Sequence, residues 1–167
     1  MHRTENRFDT AFITKAGLIA ALYIALTFVS QFVGLASGAI QFRLSEALTI
    51  LPMFTAAAVP GLTVGCILAN ILTGCAMWDV VFGSFATLLG ACGTYLLRKT
   101  GNPFLGCLPP IIANMVIVPV VLMKVYGVED AYPYLMFTVG VGEVVCCGVL
   151  GVILYRQLKK SKRFEDL

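Results

Sequence analysis

Six apolar runs separated by short polar breaks decide where this chain can fold. They extend from about Ala11 to Val33, Leu44 to Val59, Leu62 to Met77, Val80 to Leu97, Phe104 to Val125 and Tyr132 to Tyr155. The breaks are Gly34 with the loop to Arg43, the helix-ending pair Pro60-Gly61, Trp78-Asp79, the stretch from Arg98 to Pro103, and Arg156 onward. Of 167 residues, 59% are hydrophobic and 13% charged, whereas a soluble domain has roughly 45–50% apolar and about 25% charged residues. Disorder, a fibrous repeat and a basic nucleic-acid binder all need more charge or a repeating pattern. The bilayer is the solvent that remains.

At roughly 20 residues per spanning helix, six spans use about 120 positions and leave no room for a second domain. The expected fold is an all-α integral membrane protein, a compact bundle of six transmembrane helices forming a single domain over 1–167. Residues 1–10 form an N-terminal tail and 156–167 a basic C-terminal tail. Runs two and three are short, roughly 24 Å at 1.5 Å per residue, so a re-entrant hairpin is their alternative. Run five contains Pro109, Pro110 and Pro119 and is expected to kink.

The few charges set the orientation. With the N-terminus inside, Arg3, Arg7, Lys15, Arg98, Lys99, Arg156, Lys159, Lys160, Lys162 and Arg163 are cytoplasmic, and only Arg43 and Lys124 lie outside. That asymmetry follows the positive-inside rule and puts both termini in the cytoplasm, which requires an even number of spans. Trp78, Tyr126, Tyr132 and Tyr134 fall at the outer boundary, where aromatic anchors belong. The polar N-terminus before the first run, and that run's length, argue against a cleaved signal peptide. The expected location is a prokaryotic cell membrane.

Six cysteines lie in or beside apolar stretches, and the single histidine is His2 near the N-terminus. Without metal-ligand spacing they read as small buried hydrophobes, so neither a metal nor a cofactor is expected.

Ionisable groups at membrane depth are costly and by default mark a functional site. Glu46 opens run two, three residues after Arg43; Asp79 follows Trp78; Glu143 lies near the middle of run six. Asn70 and Asn114 lie inside runs three and five. Tyr23, Thr27, Ser30 and Gln31 are spaced to form one polar stripe on run one. Gln41, Arg43, Glu46, Asn70, Trp78 and Asp79 fall in the outer half, with Asn114 and Glu143 nearer the midplane. Together they describe a polar pocket opening outward. Each residue also has a simpler role: Arg43 and Glu46 as an i, i+3 ion pair, Asp79 as a helix cap, Asn70 and Asn114 as interhelical glue, Glu143 as a protonated structural group. Their convergence on one side of the membrane favours a site.

Gly17, Ala21 and Ala25 recur every four residues on another face of run one, a spacing that lets a second helix approach closely. Ala86, Gly90 and Gly93 fit internal packing as well. No G-x-x-x-x-G-K-[ST] loop occurs, so the chain lacks the usual means of hydrolysing ATP. Gly140-Val-Gly142 departs from a dinucleotide loop at Val145. A nucleophile elbow is absent too. An intramembrane enzyme using a carboxylate pair and a homo-oligomeric secondary transporter remain alternatives, the second weakened by the lack of an evident inverted repeat.

The stretch from Gln41 to Pro52, followed by Pro60-Gly61, Gly65 to Gly74 and Trp78 to Ser84, resembles the QueT-type S components of energy-coupling factor (ECF) transporters. That resemblance implies a substrate-binding subunit for a queuosine precursor, a 7-deazapurine such as preQ0 or preQ1. It also implies partners: a membrane coupling protein and two ATP-binding subunits, with the S component surrounded by membrane lipid and docking through small residues of its first helix, here Gly17, Ala21 and Ala25. ATP hydrolysis then belongs to the partners, and no nucleic acid is involved. A deazaguanine base presents adjacent N–H donors that suit a carboxylate, and an aminomethyl cation suits a second one. Glu46 and Asp79 are therefore the leading ligand carboxylates, with Arg43 orienting, Asn70 as a further partner, Trp78 or Phe42 stacking, and Glu143 deeper.

Overall fold

The computed structural model describes residues 9–35 and 40–161. Arg3, Arg7, Lys162 and Arg163 of the basic tails, His2, and positions 36–39 of the first loop lie outside the described residues. Among those described there is no strand; the chain forms α1 (Thr10–Phe32), a 3-10 helix (Leu44–Met53), α2 (Ala58–Leu72), α3 (Met77–Leu97), α4 (Pro103–Lys124), α5 (Tyr132–Glu143), a π-helical stretch (Val144–Leu150) and α6 (Gly151–Lys160). Four continuous stretches, Thr10–Phe32, Met77–Thr100, Pro103–Lys124 and Tyr132–Lys160, are long and apolar enough to cross a bilayer. They correspond to expected runs one, four, five and six.

Runs two and three differ from expectation. In place of a helix to Val59, run two is a ten-residue 3-10 helix, about 20 Å long at 2.0 Å per residue. Ser45, Glu46, Leu48, Thr49, Ile50, Leu51 and Pro52 are buried in it. Surrounded by protein, this segment need not meet the length or regularity that lipid exposure demands. Run three starts earlier, at Ala58. Pro60-Gly61 lies inside its first turn, where a missing N–H costs nothing because it has no helical partner there. α2 ends at Leu72, and Gly74, at φ 76°, makes the left-handed turn into α3.

The 3-10 helix threads the bundle antiparallel to α1. Ser30 Oγ accepts from Leu44 N at 2.9 Å, Thr27 Oγ1 donates to Ser45 Oγ at 2.9 Å, and Tyr23 OH donates to Glu46 Oε1 at 2.5 Å. At its far end Met53 packs where Gly106 of α4 lacks a side chain, and the Phe54 ring lies 5.0 Å from that of Tyr155. α2 then returns beside α1, because a Cβ at Gly61 would meet Ala16 O at 2.7 Å and one at Gly65 would meet Tyr23 Cβ at 2.9 Å. This Gly-xxx-Gly pair supplies the close helix contact of the first helix.

α3 and α4 pack just as tightly, with Gly90 against Pro110 and Gly93 against Pro109. α4 runs unbroken through its prolines. Pro110 has no N–H for the Gly106 carbonyl one turn back, and Thr94 Oγ1 of α3 donates to that oxygen at 2.7 Å instead. Such cross-helix repair is what makes proline tolerable at membrane depth.

The outer surface is apolar, with Ile13, Leu18, Phe32, Phe85, Leu96, Ile112 and Phe137 all exposed, while Thr27, Ser30, Glu46, Asn70, Asp79, Asn114 and Glu143 are buried. A membrane protein distributes its residues in this way. Gly17, Ala21 and Ala25 lie on the exposed face of α1, and nothing lies within 4 Å of where a Gly17 Cβ would be. Gln31 is also exposed and so leaves the inward stripe formed by Tyr23, Thr27 and Ser30.

Candidate functional site

A small cavity of about 40 Å³ is lined by Gln41, Arg43, Glu46, Cys66, Asp79, Gly83, Thr87, Asn114, Val118, Val139 and Glu143. These come from the 3-10 helix and the residues before it, α2, α3, α4 and α5, so the site exists only in the assembled bundle. Its residues fall at two levels. Arg43 precedes the 3-10 helix, Asn70 ends α2 and Asp79 begins α3, which makes them a rim. Asn114 and Glu143 lie roughly 15 Å along α4 and α5 from the same end at 1.5 Å per residue. Glu46 is tied to Tyr23 at a similar depth.

At the rim Arg43 NH1 donates to Asn70 Oδ1 at 3.4 Å, and Asp79 and Glu46 line the same cavity. Asp79 is in the first turn of α3, where the N–H dipoles favour an anion. It does not cap the helix, which starts two residues earlier with Ala76 at the N-cap position. Its Oδ2 accepts from Tyr126 OH at 3.1 Å, and the same phenol oxygen accepts from Ala76 N at 3.2 Å. Partial burial, with the Asp79 charge adding to it, raises the Tyr126 phenol above its ordinary value. Gly83, one turn on, leaves space because a Cβ there would be 3.3 Å from both Asn70 Nδ2 and Asp79 Oδ1.

On the floor, Asn114 Nδ2 donates to Glu143 Oε1 at 2.8 Å and lies close enough to act on Glu46 as well. Thr49 Oγ1 donates to the Glu46 backbone oxygen at 2.6 Å and meets Cys147 Sγ at 3.1 Å, fastening the 3-10 helix to the π-helical stretch. That stretch begins immediately after Glu143, and π-helical turns occur frequently at functional sites. Gly142 lets the Gln41 backbone oxygen pass directly over α5, since a Cβ there would collide with it. Glu46 Oε2 and Glu143 Oε2 are buried with no hydrogen-bond partner.

Of the residues expected from sequence, Gln41, Arg43, Glu46, Asp79, Asn114 and Glu143 line the cavity, and Asn70 reaches it through Arg43. Trp78 is not brought to it. The residue is 62% exposed, and its ring stacks on Phe82 at 5.9 Å and lines an apolar groove between α3 and α4. Phe42 is not among the lining residues either. The pairing of Arg43 with Glu46 gives way to Arg43 with Asn70 and Glu46 with Tyr23. Sequence reasoning missed Cys66, Thr87 and Tyr126, which carry no motif and meet the site only through packing.

No solved structure matches the chain. Over 78 residues it is 35% identical to the Queuosine precursor transporter QueT of Lactococcus lactis subsp. cremoris (strain MG1363). That stretch is 46% of this chain and spans 45%, under half, of the relative's length. The family model of the QueT transporter matches residues 13–160, from the second turn of α1 to the end of α6. With every cavity-lining residue inside the matched region, the chain belongs to the QueT transporter family.

Proposed function

We propose that this chain is the membrane-embedded binding subunit for uptake of a queuosine precursor, a 7-deazapurine such as preQ0 or preQ1, and that it hands the ligand to an ATP-driven ECF module. One observation carries the reading: carboxylates at both levels of a buried polar cavity, Asp79 at the rim and Glu46 and Glu143 on the floor, stand with a single guanidinium, Arg43. A flat base with adjacent N–H donors and a carbonyl matches that set, since carboxylates accept the donors and the guanidinium donates to the carbonyl. The Lactococcus relative is named for queuosine precursor transport, which supports this reading.

The bundle crosses the membrane six times, with the 3-10 helix and α2 as the two short passes and both termini cytoplasmic. Arg43 and Lys124 then face outward, and the cavity opens to the outside. The coupling protein docks on the exposed Gly17, Ala21 and Ala25 face of α1. The chain has no phosphate-binding loop of its own, so energy comes from two ATP-binding partner subunits.

The test is to purify the chain from its host membrane, release the small molecule that co-purifies and determine its mass. A deazapurine mass is the expected result. A protein that carries none and whose thermal unfolding ignores added deazapurines overturns the reading. Uptake into vesicles holding this chain alone, with no ATP-binding subunit, overturns the coupling to an ECF module.

A further inference from the structure

The two levels of the cavity differ in charge balance. At the rim Arg43 NH1 donates to Asn70 Oδ1, and Asp79 lines the same cavity. On the floor Glu46 and Glu143 have only that same guanidinium to share with Asp79, so three carboxyl groups line the cavity against one base. Their fixed oxygens accept from the neutral groups of Tyr23 and Asn114. Their second oxygens are buried without a partner, in side chains only 3% and 9% exposed.

Buried acceptors left unmatched are expensive, and two like-charged groups in one low-dielectric site repel each other. A ligand ammonium between the two floor oxygens relieves both penalties, because it offers three donors and a positive charge. A nitrile in the same place offers only a further acceptor, so it adds a third unpaired lone pair to two existing ones.

We infer that Glu46 and Glu143 form a cation-selective floor that takes a primary ammonium carried at the 7-position of the deazapurine, while Asp79 and Arg43 at the rim read the amide edge of the base. The ligand enters with its ammonium leading. The inference rests on the deazapurine reading above and narrows it to the aminomethyl form over the nitrile form.

The experiment is titration calorimetry on the full chain in detergent, with 7-aminomethyl-7-deazaguanine and 7-cyano-7-deazaguanine as probes. The aminomethyl base is expected to bind tighter by at least roughly tenfold, the size of a charge-assisted hydrogen bond. Glu46→Gln and Glu143→Gln are each expected to shrink that ratio, with folding checked by thermal unfolding and size exclusion. Equal affinities, or tighter binding of the nitrile, overturn the cation-selective floor while leaving the deazapurine reading intact. A ratio unchanged in both variants moves the selectivity away from the floor and overturns it too. If neither base binds, the deazapurine reading itself falls and this inference with it. The wild-type comparison stands whether or not a variant folds.

Discussion

Tyr23 of α1 donates a hydrogen bond of 2.5 Å to Glu46 Oε1 on the central 3-10 helix, and both side chains are almost wholly buried. The bond ties the helix with the exposed small-residue face to a wall of the cavity. Thr27 and Ser30, one and two turns further along the inward face, add bonds to Ser45 and Leu44. α1 therefore positions the 3-10 helix through three successive polar contacts in an otherwise apolar setting, where each is protected from competing water.

Tyr23→Phe removes the phenol that donates to Glu46 Oε1, on a buried carboxyl group whose Oε2 already has no partner among the described residues. Losing the partner of a buried polar group costs about 1–3 kcal/mol. The variant is expected to unfold at lower temperature in detergent and to bind deazapurine roughly tenfold more weakly, which at 1.4 kcal/mol per tenfold is within that range. Unchanged affinity in calorimetry argues that Glu46 does not touch the ligand.

Gly90→Ala and Gly17→Ala make the same chemical change in opposite surroundings. A Cβ at Gly90 meets the Pro110 Cα at 2.6 Å, and that backbone atom has no rotamer with which to yield. Overpacking of this kind costs about 1–3 kcal/mol, so the unfolding temperature falls. At Gly17 the space is open, and alanine's helix propensity leaves stability unchanged or higher by up to about 1 kcal/mol. Thermal scans of the two variants side by side check the inward and outward assignment of these faces.

The four long spans were legible because their apolar runs exceed what a soluble helix needs and polar breaks bound them. The 3-10 helix was not: ten residues are too few to separate a period of 3.0 from 3.6, and its apolar sequence looks the same whether lipid or protein surrounds it. The carboxylates and asparagines of the cavity stood out because burial of such groups at depth demands a reason. Trp78 misled because it adjoins Asp79 in sequence, yet successive helical residues point about 100° apart, so one faces the cavity and the other the surface. Tyr126 could not be found, since only the packing of α3 on α4 brings it to Asp79, 47 positions away.

Tyr126→Phe tests that contact. The phenol fixes Asp79 Oδ2 while accepting from Ala76 N, so its loss frees the rim carboxylate to rotate. Tyr126 is about half exposed, which keeps the stability change small. Ligand affinity is expected to fall by up to about tenfold, the size of one ordinary hydrogen bond. The sign with pH follows from the raised phenol. A group that holds its proton more tightly in the folded chain contributes below its ordinary value of about 10 and loses that contribution only as alkaline pH removes the proton. The wild type should therefore show a steady affinity through neutral pH and converge on the variant's in strongly alkaline buffer.

Ala21→Trp separates ligand capture from delivery. Ala21 is exposed on α1, on the face opposite the one where Tyr23, Thr27 and Ser30 turn inward. An indole there touches neither the cavity nor the α1 to α2 contact made by Gly61 and Gly65. Close helix approach depends on small residues, and a bulky ring holds a docking partner several ångströms away. The variant is expected to bind deazapurine with wild-type affinity in detergent, yet to lose most uptake in cells expressing the full set of ECF subunits. Wild-type uptake would place the coupling surface on another helix. Lost binding would instead mean that α1 transmits strain from its outer face to Glu46 through Tyr23, so measuring both quantities on one preparation distinguishes the two outcomes.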